Sequence, residues 1–241
     1  MAGLTAAAHT GVVREIFSTV QDRYDFLNHL LSVRRDVGWR RAAISAMHFG
    51  PTHRMLDVAT GTADLAMGVA RAHPTVAVDG VDFAAPMLAL GERKVRAAGL
   101  AGRITLREAD AMNLPFPDAS FDVSAVAFGM RNIPDKLRAL REMARVTVPG
   151  GQVMVLEMTF APRGLFRALY GTYLSYVLPR MAQMFSRNPA TYWYLGDSIR
   201  SFPQPAAFAA LMQKAGLTRV SWHPLTFGTA CLHIARPAGA R

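Results

Sequence analysis

Asp57-Val58-Ala59-Thr60-Gly61-Thr62-Ala63 has the residue types of a cofactor loop. Its small residues let a ligand approach the backbone, and Gly61 permits a positive φ. Met55–Val58 before it reads as a strand, and Asp64 to about Ala72 after it as a helix. That helix would turn its free N–H groups and positive dipole end to the loop, which suits a carboxylate. A dinucleotide turn needs G-x-G-x-x-G. With Gly61 as the middle glycine, the outer positions are Ala59 and Asp64, so a nicotinamide cofactor is disfavoured. Asp82 lies 21 residues past Gly61, at the end of a second strand, with Phe83 beside it. A carboxylate there accepts bonds from both hydroxyls of a ribose. Asp110-Ala111 follows a third strand and offers a side chain or an amide to an adenine amino group. Ala127-Phe128-Gly129 ends a fourth, with small residues that leave room beneath a cofactor. Each piece alone is a common loop or strand-end sequence. Four in order on successive strands point to a nucleotide-like cofactor.

The elements that must position these residues follow from apolar spacing. Strands are expected at Met55–Val58, Val76–Val81, Ile104–Arg107, Phe121–Phe128 and Val153–Met158. Helices are expected at Asp64–Ala72, Ala85–Ala98 and Lys136–Val146, the last closed by Pro149-Gly150-Gly151. Alternation of this kind makes a parallel sheet with helices on both faces. Residues 11–49 carry apolar side chains at spacings of three and four and read as an N-terminal helical cap. After a cofactor-binding core over 54–159 the alternation stops. An aromatic-rich helical insertion is expected within 160–203, and a C-terminal helix (Pro205–Ala215) with a hairpin over 204–235. The whole chain, 1–241, is read as one α/β domain with a Rossmann-like, mostly parallel seven-stranded sheet ending in an antiparallel hairpin.

Composition bounds the rest. Of the 241 residues 51% are apolar and 18% charged, which excludes a disordered chain. Cys231 is the single cysteine, so no internal disulfide forms. No apolar run reaches the roughly 18 residues of a membrane span, and Met1–Thr10 lacks the basic start of a signal peptide, so a cytoplasmic location is expected. The net charge of +10 is uneven: Phe160 to the end holds nine of the 27 Lys/Arg and one of the 17 acids. A basic C-terminal third fits an anionic partner, nucleic acid or membrane head groups, or else an ordinary solvated surface.

Several motifs go beyond the cofactor pieces. They are Phe17 with Arg23-Tyr24-Asp25-x-x-Asn28 and Trp39-Arg40; Gly80-Val81-Asp82-Phe83 with Met87-Leu88; and Leu114-Pro115-Phe116-Pro117 with Phe121-Asp122. Phe128-Gly129-Met130-Arg131-Asn132, Pro149-Gly150-Gly151, Tyr194-Leu195 with Ser198-Ile199-Arg200, Leu225-Thr226 and Leu232-His233 complete the set. On these, over residues 12–235, the chain resembles the C-methyltransferases of menaquinone and ubiquinone biosynthesis, a branch of the class I methyltransferases. The resemblance implies S-adenosyl-L-methionine as cofactor, with Thr62, Asp82 and Asp110-Ala111 in contact with it. Asp57, Gly61, Phe83 and Ala127 are the further cofactor candidates, and no metal is expected. The chain departs from the family at Ala127, often serine; at Ala63, often glycine; and at Phe227, where Thr-Gly-Gly is usual. Alanine at 63 looks more like the menaquinone branch.

The implied reaction adds a methyl group to a ring carbon of a polyprenyl quinol, demethylmenaquinol before a benzoquinol. The ring carbon becomes nucleophilic as a neighbouring hydroxyl loses its proton, so the site needs a donor for the resulting oxyanion. Arg131 and Asn132, after the fourth strand, are the catalytic candidates; the alternative for Arg131 is a loop cap or a pair with an acid such as Asp135. His233 and Glu157 are secondary candidates, each with a structural alternative. Tyr24, Asn28, Tyr173 and Tyr176 are candidates for the substrate side, although Tyr173 and Tyr176 share a helical face with Leu169 and Val177 and so also suit ordinary packing. A lipid substrate implies peripheral association with the inner face of an anionic membrane, and a homodimer is compatible. An RNA methyltransferase would use the basic third for phosphates, but the aromatic insertion is not interleaved with Lys/Arg. A non-catalytic subunit of a biosynthetic complex is the remaining reading, opposed by the intact Arg131-Asn132.

Overall fold

The computed structural model describes residues 32, 34–160, 171–173, 176 and 190–238. Tyr24, Asn28 and the cap before Ser32 lie outside the described residues, as do Leu169, Tyr170 and Val177.

Helix α1 (Arg35–Ser45) precedes β1 (Arg54–Val58), α2 (Asp64–Ala72), β2 (Ala77–Asp82), α3 (Ala85–Ala97), β3 (Ile104–Glu108) and β4 (Phe121–Ala127). Then come α4 (Lys136–Val146), β5 (Thr147–Met158), α5 (Ala190–Ser201), α6 (Pro205–Lys214), β6 (Leu217–Leu225) and β7 (Ala230–Pro237). The strands form one sheet of order β3-β2-β1-β4-β5-β7-β6. β1 to β5 pair in parallel; β7 is antiparallel to β5 and β6 to β7, the expected hairpin. The fold is that expected from the sequence, a Rossmann-like sheet with a terminal hairpin.

Strand alternation sends residues to two cores. Met55, Val123, Ala125, Met154 and Leu156 pack with Trp39 and Ile44 of α1 and Ala66 and Val69 of α2. Leu56, Val58, Val126, Val153 and Val155 pack with Leu140 and Met143 of α4 and Phe208 and Met212 of α6. Burial on both faces explains why β4 reads as an unbroken apolar run.

One boundary differs from the sequence expectation. Pro149-Gly150-Gly151 does not separate α4 from the fifth strand; β5 already begins at Thr147. Thr147 Oγ1 donates to the carbonyl of Met143 at 2.6 Å and lies 2.7 Å from Ser124 Oγ, so its side chain ends the helix and joins β4 at once. The Pro-Gly-Gly segment becomes a bulge between the pairs Phe121↔Thr147 and Val123↔Gln152.

α1 runs against the parallel strands. Near its start, Trp39 Nε1 donates to Thr226 Oγ1 at 2.8 Å, beside the carboxyl end of β5. Just past its end, the His48 N–H donates to Gln152 Oε1 at 2.6 Å, and Gln152 Nε2 donates to the Ala46 carbonyl at 2.9 Å, near the start of β5.

Candidate functional site

The sheet reverses its winding between β1 and β4, and a cavity of about 360 Å³ opens beyond the carboxyl ends of β1, β2, β3 and β4. A volume of that size suits a small-molecule ligand, and this position is where open α/β sheets bind one. Gly61, Asp82 and Phe83 line one part of it; Asp110, Ala111 and Met112 another; Ala127, Phe128, Gly129 and Asn132 a third. A smaller cavity of about 30 Å³ shares Ala59, Gly61, Ala127 and Phe128 with the first and adds Arg40, Asp57 and Thr62.

The loop after β1 is held from beneath. Helix α2 has no capping side chain of its own: its N-cap is Ala63, in the left-handed region at φ 67°. The orphan N–H of Ala66 donates instead to Asp57 Oδ2 at 3.1 Å, and Thr60 Oγ1 donates to the same oxygen at 2.7 Å. Asp57 is therefore the cap of α2, supplied from the strand. Burial pushes its carboxyl up to about 7, against the pull of those two donors. Ala59 and Gly61 also have positive φ, 52° and 56°, so the loop alternates left-handed positions at 59, 61 and 63. Ala63 fills a conformation that glycine adopts freely, and its methyl is fully buried in the first core.

Asp82 closes the loop's other side. Its Oδ2 accepts from the Gly61 N–H at 2.8 Å and its Oδ1 from the Ala84 N–H at 3.0 Å. The Phe83 N–H bonds to the same carboxylate, and the remaining lone pair can accept from a ribose hydroxyl. Burial raises the pKa of this carboxyl, and the backbone donors oppose that rise. Asp110 Oδ1 accepts from the Met112 N–H at 2.8 Å, which shapes the wall that Ala111 and Met112 present to the cavity.

The two loops that bracket the cavity nearly touch. A Cβ on Gly129 would lie 2.5 Å from the Cβ of Ala59, so only glycine fits there. Phe128 adopts φ 62° next to it, with the Arg40 guanidinium 5.2 Å from its ring centroid. A bulky residue in this region is strained and persists only where its surroundings fix it.

Arg131 and Asn132 follow on a short helical turn, Met130–Asn132. They face different ways. Asn132 lines the large cavity; Arg131 lines neither cavity. The Arg131 guanidinium is buried and pairs with Glu157 at 2.6 Å, and it donates to the Phe128 carbonyl at 2.7 Å. The Arg131 N–H donates to the other oxygen of Glu157 at 3.0 Å. The acid that pairs with Arg131 is thus Glu157, while Asp135 caps α4 through the Arg138 N–H at 2.9 Å. Lys136 adds a second brace, donating to the Ile133 carbonyl at 2.9 Å and the Arg131 carbonyl at 3.3 Å. Burial lowers its pKa.

His233 is fully buried, 3.0 Å from the Pro205 carbonyl and edge-on to Phe208, and burial lowers its pKa. It lines neither cavity, and this is its structural alternative. Tyr173 packs against the first core and Tyr176 is 60% exposed; neither lines either of these two cavities. Arg40 and Lys94 are the residues that sequence reasoning did not place at the site. Lys94 Nζ reaches Thr62 Oγ1 at 3.0 Å and Asp64 Oδ1 at 2.5 Å. Arg40 had one local signal, an acid four residues before it at Asp36; the pair is 2.6 Å apart.

These groups suit the cofactor expected from the resemblance. Asp82 can accept from a ribose hydroxyl, the apolar wall formed by Phe83, Ala111 and Met112 can hold a base, and the small cavity carries charges of both signs.

The chain matches the ubiE/COQ5 methyltransferase family over residues 5–236. It is 45% identical over 219 residues to a demethylmenaquinone methyltransferase of Thermus thermophilus, covering 91% of this chain and 98% of the relative. It is 42% identical over 222 residues to a ubiquinone/menaquinone biosynthesis C-methyltransferase UbiE of Geotalea daltonii, covering 92% and 94% of the two. Among solved structures, a SAM-dependent methyltransferase of Thermotoga maritima superposes with a TM-score of 0.66 at 17% identity, covering 92% of this chain and 98% of that one.

Proposed function

The chain belongs to the ubiE/COQ5 methyltransferase family, and from that premise we propose that it methylates a ring carbon of a polyprenyl quinol, demethylmenaquinol in the first instance. It is an S-adenosylmethionine-dependent methyltransferase. The cofactor, when bound, supplies an electrophilic methyl group. The chain supplies position, charge and dryness.

Asn132 carries the reading. It is the one polar side chain that the 128–134 loop presents to the large cavity. Its amide can donate to the oxygen of a quinol ring and stabilise the negative charge that makes the neighbouring carbon nucleophilic. Arg131 acts as a positioning residue: joined to Glu157 and to the Phe128 carbonyl, it fixes the turn on which Asn132 stands. Met87, Ile133 and Pro134 give the same cavity apolar walls, which exclude water from the charge. Asp57, Gly61, Thr62, Asp82, Phe83, Asp110, Ala111 and Ala127 form the cofactor side in this reading. The substrate's tail places the enzyme on an anionic membrane surface.

The test has two arms. Demethylmenaquinol and, separately, the benzoquinol precursor are incubated with enzyme and cofactor, and the lipid quinones are read by mass spectrometry. The naphthoquinol gains one methyl group; no gain on either substrate refutes the reading. The relative from Geotalea carries both pathway names, which is the reason for the benzoquinol arm. In Asn132→Ala, turnover falls by about 100-fold while cofactor affinity holds, the effect of removing one oxyanion donor. Unchanged turnover removes Asn132 from the chemistry.

A further inference from the structure

The turn between β6 and β7 holds a phenylalanine where a glycine would sit more easily. Thr226, Phe227 and Gly228 have φ of 43°, 55° and 81°, three left-handed positions in a row. A phenylalanine in that region costs free energy that a glycine does not. The turn is nevertheless fixed from inside. Trp39 Nε1 donates to Thr226 Oγ1 at 2.8 Å, Thr229 Oγ1 to the Thr226 carbonyl at 2.9 Å, and Thr159 Oγ1 to the Gly228 carbonyl at 2.8 Å. Phe227, between these anchors, is 82% exposed, the most exposed large apolar residue among those described. Its place in the fold is specific. Ala230, just after the turn, pairs with Met158 at the carboxyl end of β5, so Phe227 stands at the cavity end of the sheet. Arg35 lies one helical turn before Trp39 on α1; it and Arg34 are exposed, while Asp36 beside them is buried. Trp39 in turn lies 6.0 Å from the ring of Phe128, which lines the cavity.

We propose that Phe227 is the residue that this chain inserts into a lipid surface, with Arg34 and Arg35 meeting anionic head groups nearby. The inference rests on the proposed function for the reason a membrane has to be met. A protein partner fits the feature poorly. One aromatic side chain buries at most about 250 Å², and a stable interface takes about 800 Å² from each side. A bilayer asks for less. Its acyl chains close around a single ring, and apolar burial adds to the attraction between cations and anionic lipid. The rigid turn favours insertion as well, because a group held in place before binding has little freedom left to lose. Trp39 then joins this tip to the cavity wall through Phe128, so the inserted residue and the site keep a fixed relation.

The experiment uses vesicles of equimolar phosphatidylcholine and phosphatidylglycerol, without quinol or cofactor. The full chain sediments with them, and Phe227→Gly lowers the partition coefficient by about tenfold or more, the effect of losing one buried phenylalanine. The factor is the same at low and moderate salt, because the lost contact is apolar. Phe227→Leu keeps most of the binding. Glycine adopts the left-handed turn freely, so the melting temperature of Phe227→Gly holds or rises and a folding defect is not the cause. Phe227→Trp reports depth: lipids brominated on their acyl chains quench its fluorescence beyond the quenching of the wild type. Undiminished vesicle binding by Phe227→Gly, no extra quenching in Phe227→Trp, or no binding by the wild type overturns the proposal. So does a loss of self-association in Phe227→Gly with vesicle binding intact, which would make the tip a contact between copies. Because no step requires turnover, a failure to methylate either quinol would refute the proposed function and leave this result standing.

Discussion

Burial leaves Asp57 with a carboxyl that ionises near neutrality, pushed up to about 7 from an ordinary 3.8. The sign of the consequence is fixed by linkage. Between the two values the folded chain holds a proton that the unfolded chain has released, so raising the pH favours unfolding. Asp57's contribution is full below pH 4 and is lost as pH rises through 7. Melting temperature should therefore fall between pH 5 and pH 8. Asp57→Asn keeps an acceptor for the Ala66 N–H and a partner for Thr60 but has nothing to titrate, so it should flatten that slope. A slope equal to the wild type's would show that some other group titrates. Arg131 and Glu157 present the opposite case. Both are buried, with side chains 4% and 0% exposed, and they pair at 2.6 Å. Removing one partner of such a pair costs roughly 3–5 kcal/mol. A loss of activity in an Arg131 variant is therefore uninformative without its melting temperature, whereas half-buried Asn132 can be changed at small cost to the fold.

The elements that carry the site are two loops, after β1 and after β4, pressed together at Ala59 and Gly129. Gly129→Ala puts a methyl 2.5 Å from the Ala59 Cβ and must spread them. Calorimetry with S-adenosylhomocysteine should show at least a tenfold loss of affinity, since misplacing a binding loop by an ångström has effects of this order. Adding Ala59→Gly removes the clashing atom. The nearest remaining neighbours stand at 3.2 and 3.6 Å, and position 59 already has a positive φ that glycine prefers. The double variant should recover most of the affinity; if it does not, the contact is not what matters at Gly129. Much of this arrangement is legible in the sequence, because strand ends in a parallel sheet all face one way. Gly61, Asp82, Asp110-Ala111 and Asn132 each follow an apolar run, and all reach the cavity. What spacing does not carry is pairing across the sheet. Arg131 meets Glu157 over 26 residues, and Lys94 meets Thr62 over 32. Nor does spacing carry the extent of β6, Leu217–Leu225, because an edge strand exposed along most of its length lacks the apolar alternation that reveals a strand.

At the scale of the molecule, described cations stand at both ends of the sheet in a chain of net charge +10. Lys214 closes α6 and Arg219 lies early in β6; the start of β6 pairs with the end of β7, and Arg236 there donates to the Gly150 carbonyl. These residues stand at the amino ends of the parallel strands, away from the cavity. Arg34 and Arg35 are exposed where α1 begins, at the carboxyl end, and Arg200 rests 6.0 Å from the Phe160 ring just beyond β5. No helix among the described residues is long and apolar enough to cross a membrane. In the proposed function, a lipid substrate is met with the cavity end of the sheet facing the membrane surface. Only the cations at that end can meet head groups, each worth roughly 1 kcal/mol near the surface. Vesicles with anionic lipid should therefore sediment the protein at low salt and release it as salt rises. Arg34→Glu with Arg35→Glu should abolish most of that binding, and Lys214→Glu with Arg219→Glu, the same change of charge at the other end, should leave it nearly intact. Equal losses from the two pairs would mean that net charge alone attracts the protein, with no preferred face. No binding at low salt would remove the membrane from the account altogether.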